Sequence, residues 1–249
     1  MLRSLEALRG YTLVATDGTI GSVETFLFDD VTWTLRYAVV QIGDGFQRQN
    51  VLIAMTALEQ PDWEAYTFPV NLTQEQIRRS PDIDLAQPIS RQHQVELHAY
   101  YDWPQYWTMR EDEQIEGLLA SVPDIAEDQP PSRKEASDAD PHLRSIEVVR
   151  GYAVQTLDGE IGVVEDFTVD DEVWLIRYII VDAGALEPER KLVIAPEWVQ
   201  QIEWAHSRMM VDLTTEAVKQ SPRFDPSISI EREYEQLLHN HYARPKYWE

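Results

Sequence analysis

The sequence predicts a mainly β protein with short helices: two small β-barrels, each followed by a helical and aromatic tail, in a pseudo-two-fold tandem. Three observations lead there. Leu2 to Trp107 aligns with Leu143 to Trp248 at a constant offset of 141 positions, without a gap and with about forty identities. Within each copy, short apolar runs alternate with Asp-Gly and Asp-Asp turn signals at the close spacing of a small barrel. Both copies then end in aromatic residues gathered around a proline. A unit of about 105 residues is an ordinary domain size, so the chain is read as a duplicated domain and not a solenoid. The divisions are 1–110, a linker at 111–141, and 142–249.

The first strand runs over Tyr11 to Ala15 and meets Asp17-Gly18, the strongest short hairpin signal, which predicts a type I′ turn. Ile20 and Val23 to Phe26 supply the returning strand. The second copy repeats the pattern with Gly151-Tyr152, Asp158-Gly159, Ile161-Gly162 and Phe167. Asp29-Asp30 and Asp170-Asp171 precede Trp33 and Trp174 and mark a second hairpin into the apolar strands Leu35 to Ile42 and Leu175 to Ala183. Asn50 to Ala54 and Lys191 to Ala195 read as a fourth strand, and Tyr66 to Asn71 and Arg208 to Asp212 as a fifth or sixth.

Each barrel hands over to helices. Thr73-Gln-Glu-Gln76 fits a capping box, and Ser80-Pro81 ends that helix because the residue before proline is pushed away from helical angles; Ser221-Pro222 ends its twin. A second helix is expected from about Ser90 to Tyr101 and from Ser229 to Tyr242. The tails follow, with Trp103, Tyr106 and Trp107 around Pro104, and Tyr247 and Trp248 after Pro245. Rings this large need packing partners, since each buries about 150–250 Å².

The linker is acidic and rich in Ser, Ala and Pro, with Pro130-Pro131 at its middle. At about 30 residues it permits a side-by-side or an exchanged arrangement of the copies. With 44 acidic against 21 basic residues, the net charge of −23 disfavours nucleic acid and anionic lipid as direct partners. It suits a partner with a basic face, or cations, or solubility alone. The absence of cysteine removes disulfides, thiolate chemistry and zinc ribbons. No segment reads as a secretory signal or as the roughly 18 apolar residues of a membrane helix, so a cytoplasmic location is expected.

The series Gly10-Tyr11, Asp17-Gly18, Gly21, Val23-Glu24, Phe26, Asp29-Asp30, Trp33, Arg36-Tyr37 and Val40, followed by Val51-Leu52-Ile53 and Val70 to Thr73, resembles the PRC-barrel family. The second copy carries the same series through Asp170-Asp171, Trp174, Arg177-Tyr178 and Val181-Asp182. The family includes the cytoplasmic barrel of the photosynthetic reaction-centre H subunit, and a similar barrel occurs in a ribosome maturation factor. The resemblance implies an assembly or regulatory module and brings no catalytic residues. No segment of this sequence reads as the membrane helix of the H subunit or the N-terminal domain of the ribosome factor, so a stand-alone tandem form is expected.

Candidate chemistry is sparse. The Asp29-Asp30 and Asp170-Asp171 pairs could share a cation or a proton, but turn formation and ion pairs with Arg36 and Arg177 are the stronger reading. His98 and His239 occupy equivalent places on the last helix and are expected to pack beside the tail rings or cap a carbonyl. His241 lies two residues from His239, on another helix face, and chelates poorly with it. His93, His142 and His206 have no twin. No nucleophile elbow, phosphate loop, dinucleotide fingerprint or zinc-protease motif occurs, so no catalytic, cofactor-binding or metal-binding residue is named.

The candidate interaction residues are Trp103, Tyr106, Trp107, Tyr247 and Trp248, with Phe46 in a loop where the copies differ. The expected function is a non-enzymatic adaptor or regulatory module that binds a protein partner and needs no cofactor. A small-molecule or cation sensor using the barrel mouth or the cleft between barrels is the alternative, and an enzyme comes third. The copies are expected to form an intramolecular pseudo-dimer, with further self-association left open.

Overall fold

The structure is a computed structural model that describes residues 1–43, 48–81, 83, 89–108, 142–184 and 187–249. Phe46 and the linker lie outside the described residues. In the first copy the order is β1 (Leu2–Ser4), α1 (Leu5–Leu8), β2 (Thr12–Ala15), β3 (Gly18–Asp29), β4 (Leu35–Ile42), β5 (Gln49–Ala54), β6 (Thr67–Pro69), α2 (Gln74–Arg78) and α3 (Arg91–Tyr101). The second copy repeats it as β7 (Leu143–Ser145), α4 (Ile146–Val149), β8 (Ala153–Gln155), β9 (Glu160–Asp170), β10 (Leu175–Asp182) and β11 (Lys191–Ile194). It adds β12 (Val199–Glu203) before β13 (Arg208–Val211), α5 (Thr215–Lys219) and α6 (Arg232–His241).

Two mixed sheets result, ordered β5-β4-β3-β2-β6 and β11-β10-β9-β8-β13-β12. The β2–β6 and β8–β13 pairings are parallel and the others antiparallel. The expectation of closed barrels is corrected, because the end strands of neither sheet pair with each other among the described residues. A 3₁₀ turn follows β5 at Met55–Ala57 and β11 at Pro196–Trp198, and turns the chain off the edge before it can continue as the neighbouring strand.

The first strand of each copy leaves its own sheet. β1 pairs with β9 of the second copy, Leu2 opposite Asp170 and Ser4 opposite Thr168, while β7 pairs with β3 of the first, Leu143 opposite Asp29. This reciprocal exchange makes one apolar core contain Leu5, Leu8 and Phe28 of the first copy together with Ile146, Val149 and Phe167 of the second. A smaller cluster around Tyr37, Leu52 and Leu97 lies under α3. The hairpin turns also meet: Leu35 N–H donates to Trp174 O at 2.8 Å, and Ile176 N–H to Trp33 O at 2.9 Å. Both tryptophans are left-handed, with φ of 57° and 56°. For a bulky residue that conformation carries strain of about 1–3 kcal/mol, which the surrounding contacts offset.

Local expectations fare unevenly. The Thr73 capping box is present, and α3 begins at Arg91, next to the expected start, with Ser90 accepting from His93 N as its cap. The type I′ turn is not, since neither Asp17 nor Asp158 has positive φ. Those aspartates instead cap short helices, Asp17 Oδ1 accepting from Gln74 N at 2.8 Å and Asp158 Oδ1 from Thr215 N at 2.7 Å. Helix α6 starts after Ser229, because the position equivalent to the Ser90 cap is Glu231. Gly21 and Gly162 are demanded by contact, as a Cβ on either would run into the carbonyl oxygen of Gln41 or Asp182. Among the described residues, no helix is long and apolar enough to cross a membrane.

Candidate binding site

The predicted tail residues form one clasp per copy. In the first, His98 Nδ1–H donates to Pro104 O at 2.8 Å, so its Nε2 accepts from the Tyr37 hydroxyl at 2.6 Å. Burial holds the imidazole below its usual pKa, partly offset by its bonds to backbone carbonyls, which agrees with this neutral tautomer. Trp107 and Tyr106 pack around the ring at 4.7 and 6.1 Å, and Trp103 stacks on Tyr101 at 4.2 Å. Arg36 covers Tyr106, and Arg91 covers Trp107.

The second clasp keeps this plan. His239 Nδ1–H donates to Pro245 O at 2.6 Å, Trp248 lies 5.1 Å from its ring, Arg177 covers Tyr247 and Arg232 covers Trp248. One central residue differs. In the first copy Gln94 accepts from the Tyr106 hydroxyl at 2.9 Å; its counterpart Glu235 accepts from Tyr178 at 2.8 Å, from Tyr247 at 2.7 Å, and pairs with Arg232 at 2.9 Å. Tyr178 has one hydroxyl proton for two acceptors, and the distances give it to Glu235 over His239 at 3.2 Å. Burial together with Glu235 pushes the Tyr247 phenol up to about 12. The five described candidates are therefore half-buried clasp members. The histidines bond to backbone carbonyls, as expected.

A second set of contacts joins the copies. Asp29 closes its turn by accepting from Val31 N and Thr32 N, and it pairs with Arg36 at 3.6 Å; Asp170 pairs with Arg177 at 3.4 Å. The neighbouring aspartates reach across. Asp171 binds the Met1 amino group and Arg3 Nε at 3.3 Å, while Asp30 binds His142 Nδ1 at 2.9 Å and Arg144 Nε at 3.1 Å. Arg3 also lies over Trp63 and Arg144 over Trp204, each at 4.2 Å. Each exchanged strand is thus clamped through one arginine between an aspartate of the other copy and a tryptophan of its own. The Asp pairs work as turn and ion-pair residues. Among the described residues, no group of three or more His, Asp or Glu is placed to hold a metal ion.

Beside this clamp lies a half-open groove of about 650 Å³, within the usual size of a binding cleft. Its first-copy wall includes Tyr11, Trp63 and Tyr66, its second-copy wall Phe224 and Ile228, and Leu2 and Ser4 of β1 also border it. Tyr66 and Ile228 are each 64% exposed. Asp166 also borders it, accepting from Ser4 Oγ at 2.5 Å and Glu6 N at 3.1 Å; burial raises its pKa despite those bonds. A separate cavity of about 350 Å³ is bordered by Trp33, Arg177, Tyr178, Glu197, His239 and Tyr247. Of the described predicted interaction residues, Tyr247 alone borders either space. The groove residues escaped sequence reasoning because the exchange that gathers them leaves no mark on the pattern of either copy; the repeated Trp63 and Trp204 were the available signal. No family model matches the chain, and a search of curated proteins finds no relative.

Proposed function

We propose that the chain is a non-enzymatic adaptor of tandem PRC-barrel type, working in the cytoplasm by binding a protein partner. The observation that carries this reading is the groove between the copies. Its exposed apolar and aromatic walls offer an anchor surface, while its carboxylates Glu6, Glu165 and Asp166 are engaged by Arg150, Lys191 and Ser4. The open sheets depart from a closed barrel, so the family reading rests on the residue series and the reciprocal arrangement of two equivalent units. The test is capture of partners from native lysate with the tagged chain at low and high salt, read by mass spectrometry. A reproducible, salt-sensitive protein partner is expected; none at either salt overturns the reading.

The small-molecule alternative is favoured by one observation, the 350 Å³ cavity that Arg177, Glu197 and Tyr247 border together. A melting-temperature screen against small polar metabolites tests it. A shift that Tyr247→Phe abolishes would support it, and an unchanged melting temperature throughout would remove it.

A further inference from the structure

We propose that the outer edge of β1 receives an extended segment of another protein, which adds as a short strand within the groove between the copies. This deepens the adaptor reading and rests on it. Met1 O accepts from Asp171 N at 3.0 Å, and the register then places Leu2 opposite Asp170 and Arg3 opposite Val169. Bonded and non-bonded pairs alternate along an antiparallel ladder. Met1 and Arg3 therefore direct their backbone groups at β9, and Leu2 directs its N–H and C=O away from it. Among the described residues, β1 has no strand neighbour other than β9. An edge with unspent backbone groups is a template for strand addition, and this one borders a groove instead of a packed layer.

The walls and the charge define the occupant. A strand laid along β1, which is three residues long, meets Leu2 with its backbone and sends alternate side chains toward Tyr66 of one copy and Ile228 of the other. Those side chains are apolar. The others face an acidic molecule, 44 carboxylate residues against 21 basic ones, and at the groove itself Glu6, Glu165 and Asp166 outnumber Arg3 and Arg150, although Glu6 pairs with Arg150 and Glu165 with Lys191. The fitting segment alternates aliphatic residues with Lys or Arg. Backbone bonds supply its affinity, the walls select its side chains, and the acidic surface speeds its approach.

The experiment uses the full chain and a short, capped, fluorescent peptide of alternating isoleucine and lysine, followed by anisotropy. A second peptide has the same sequence with alternate backbone amides N-methylated, which keeps charge and side chains and removes strand bonding. The protein variant is Tyr66→Asn with Ile228→Ser; Asn tolerates the left-handed backbone at position 66, where φ is 54°. Saturable binding is expected, weakened by about tenfold or more on N-methylation and by a similar factor in the variant, whose melting temperature matches that of the wild type. Equal affinity for the two peptides, full affinity in the variant, or no saturable binding overturns the proposal. A lysate partner captured equally by wild type and variant also removes this site while leaving the adaptor reading standing, so the two failures are distinguishable.

Discussion

The two tail clasps hold the same rings in the same places around different centres, a neutral amide at Gln94 and a carboxylate at Glu235. The amide, fully buried, accepts from the Tyr106 hydroxyl at 2.9 Å and more distantly from Arg91 at 3.4 Å; the carboxylate, 2% exposed, takes two hydroxyls at 2.8 and 2.7 Å and the Arg232 guanidinium at 2.9 Å. The same contrast recurs. Gln49 of the first copy donates to Ser80 O, and its counterpart Arg190 donates to both Ser221 O and Lys219 O. Thr25 of the first copy is matched by Asp166, which accepts from Ser4 and Glu6. One framework therefore accepts an ionised group where its twin has a neutral one, and each such group brings extra partners with it. That is what burial of charge requires.

The sharpest way to break the comparison is to empty both centres. Glu235→Ala leaves the Tyr178 and Tyr247 hydroxyls without their shared acceptor, while Arg232, 46% exposed, turns to solvent; a loss of about 2–4 kcal/mol is expected, on the scale of hydrogen bonds to a charged group. Gln94→Ala should lose about 1–3 kcal/mol, the scale for an unsatisfied neutral group. Urea unfolding of both variants measures the difference. Equal losses would mean that the carboxylate contributes no more than the amide. A smaller gap is expected at the next pair, about 1.5–3 kcal/mol for Arg190→Ala against about 0.5–1.5 for Gln49→Ala. The reciprocal strands also require the copies to unfold together, so each of these variants should show one transition.

Much of this architecture was legible in the chain. The gapless repeat, the capping box at Thr73, a helix beginning near Ser90 and the turn role of Asp29 all follow from local chemistry, and each is present as read. Barrel closure was not legible, because the 3₁₀ turns at Met55–Ala57 and Pro196–Trp198 leave the apolar alternation intact while redirecting the chain. Strand exchange was hidden for a related reason. Leu2 to Ser4 and Leu143 to Ser145 are identical in sequence, so no pattern tells either strand which sheet to join. The aspartates of the Asp-Gly pairs were recognised for the wrong duty, since a residue that favours turns also caps helices. The groove was invisible for the same cause as the exchange, its walls being brought together only by the crossing of the two first strands.

The smallest expected effect sharpens the comparison through pH. Burial raises the pKa of Asp166 in the second copy and lowers that of His98 in the first, and the two shifts act in opposite directions. A carboxyl with a raised folded pKa binds more protons folded than unfolded, so its contribution is full below its unfolded value near 3.8 and declines as pH rises through the folded value. A histidine with a lowered folded pKa contributes fully above its unfolded value near 6.5, and that contribution is lost as pH falls through the folded value. Asp166→Asn keeps an acceptor for Ser4 and Glu6 and should remove the decline on the rising side. His98→Gln should remove the loss on the acid side, with a lower stability throughout from the broken Tyr37 and Pro104 contacts. Melting curves between pH 3.5 and 8 read both, at about 2–4 °C per kcal/mol for a chain of this size. Identical pH profiles for wild type and Asp166→Asn would show that the carboxylate is as comfortable in the fold as in water, and the contrast with neutral Thr25 would then carry no energy.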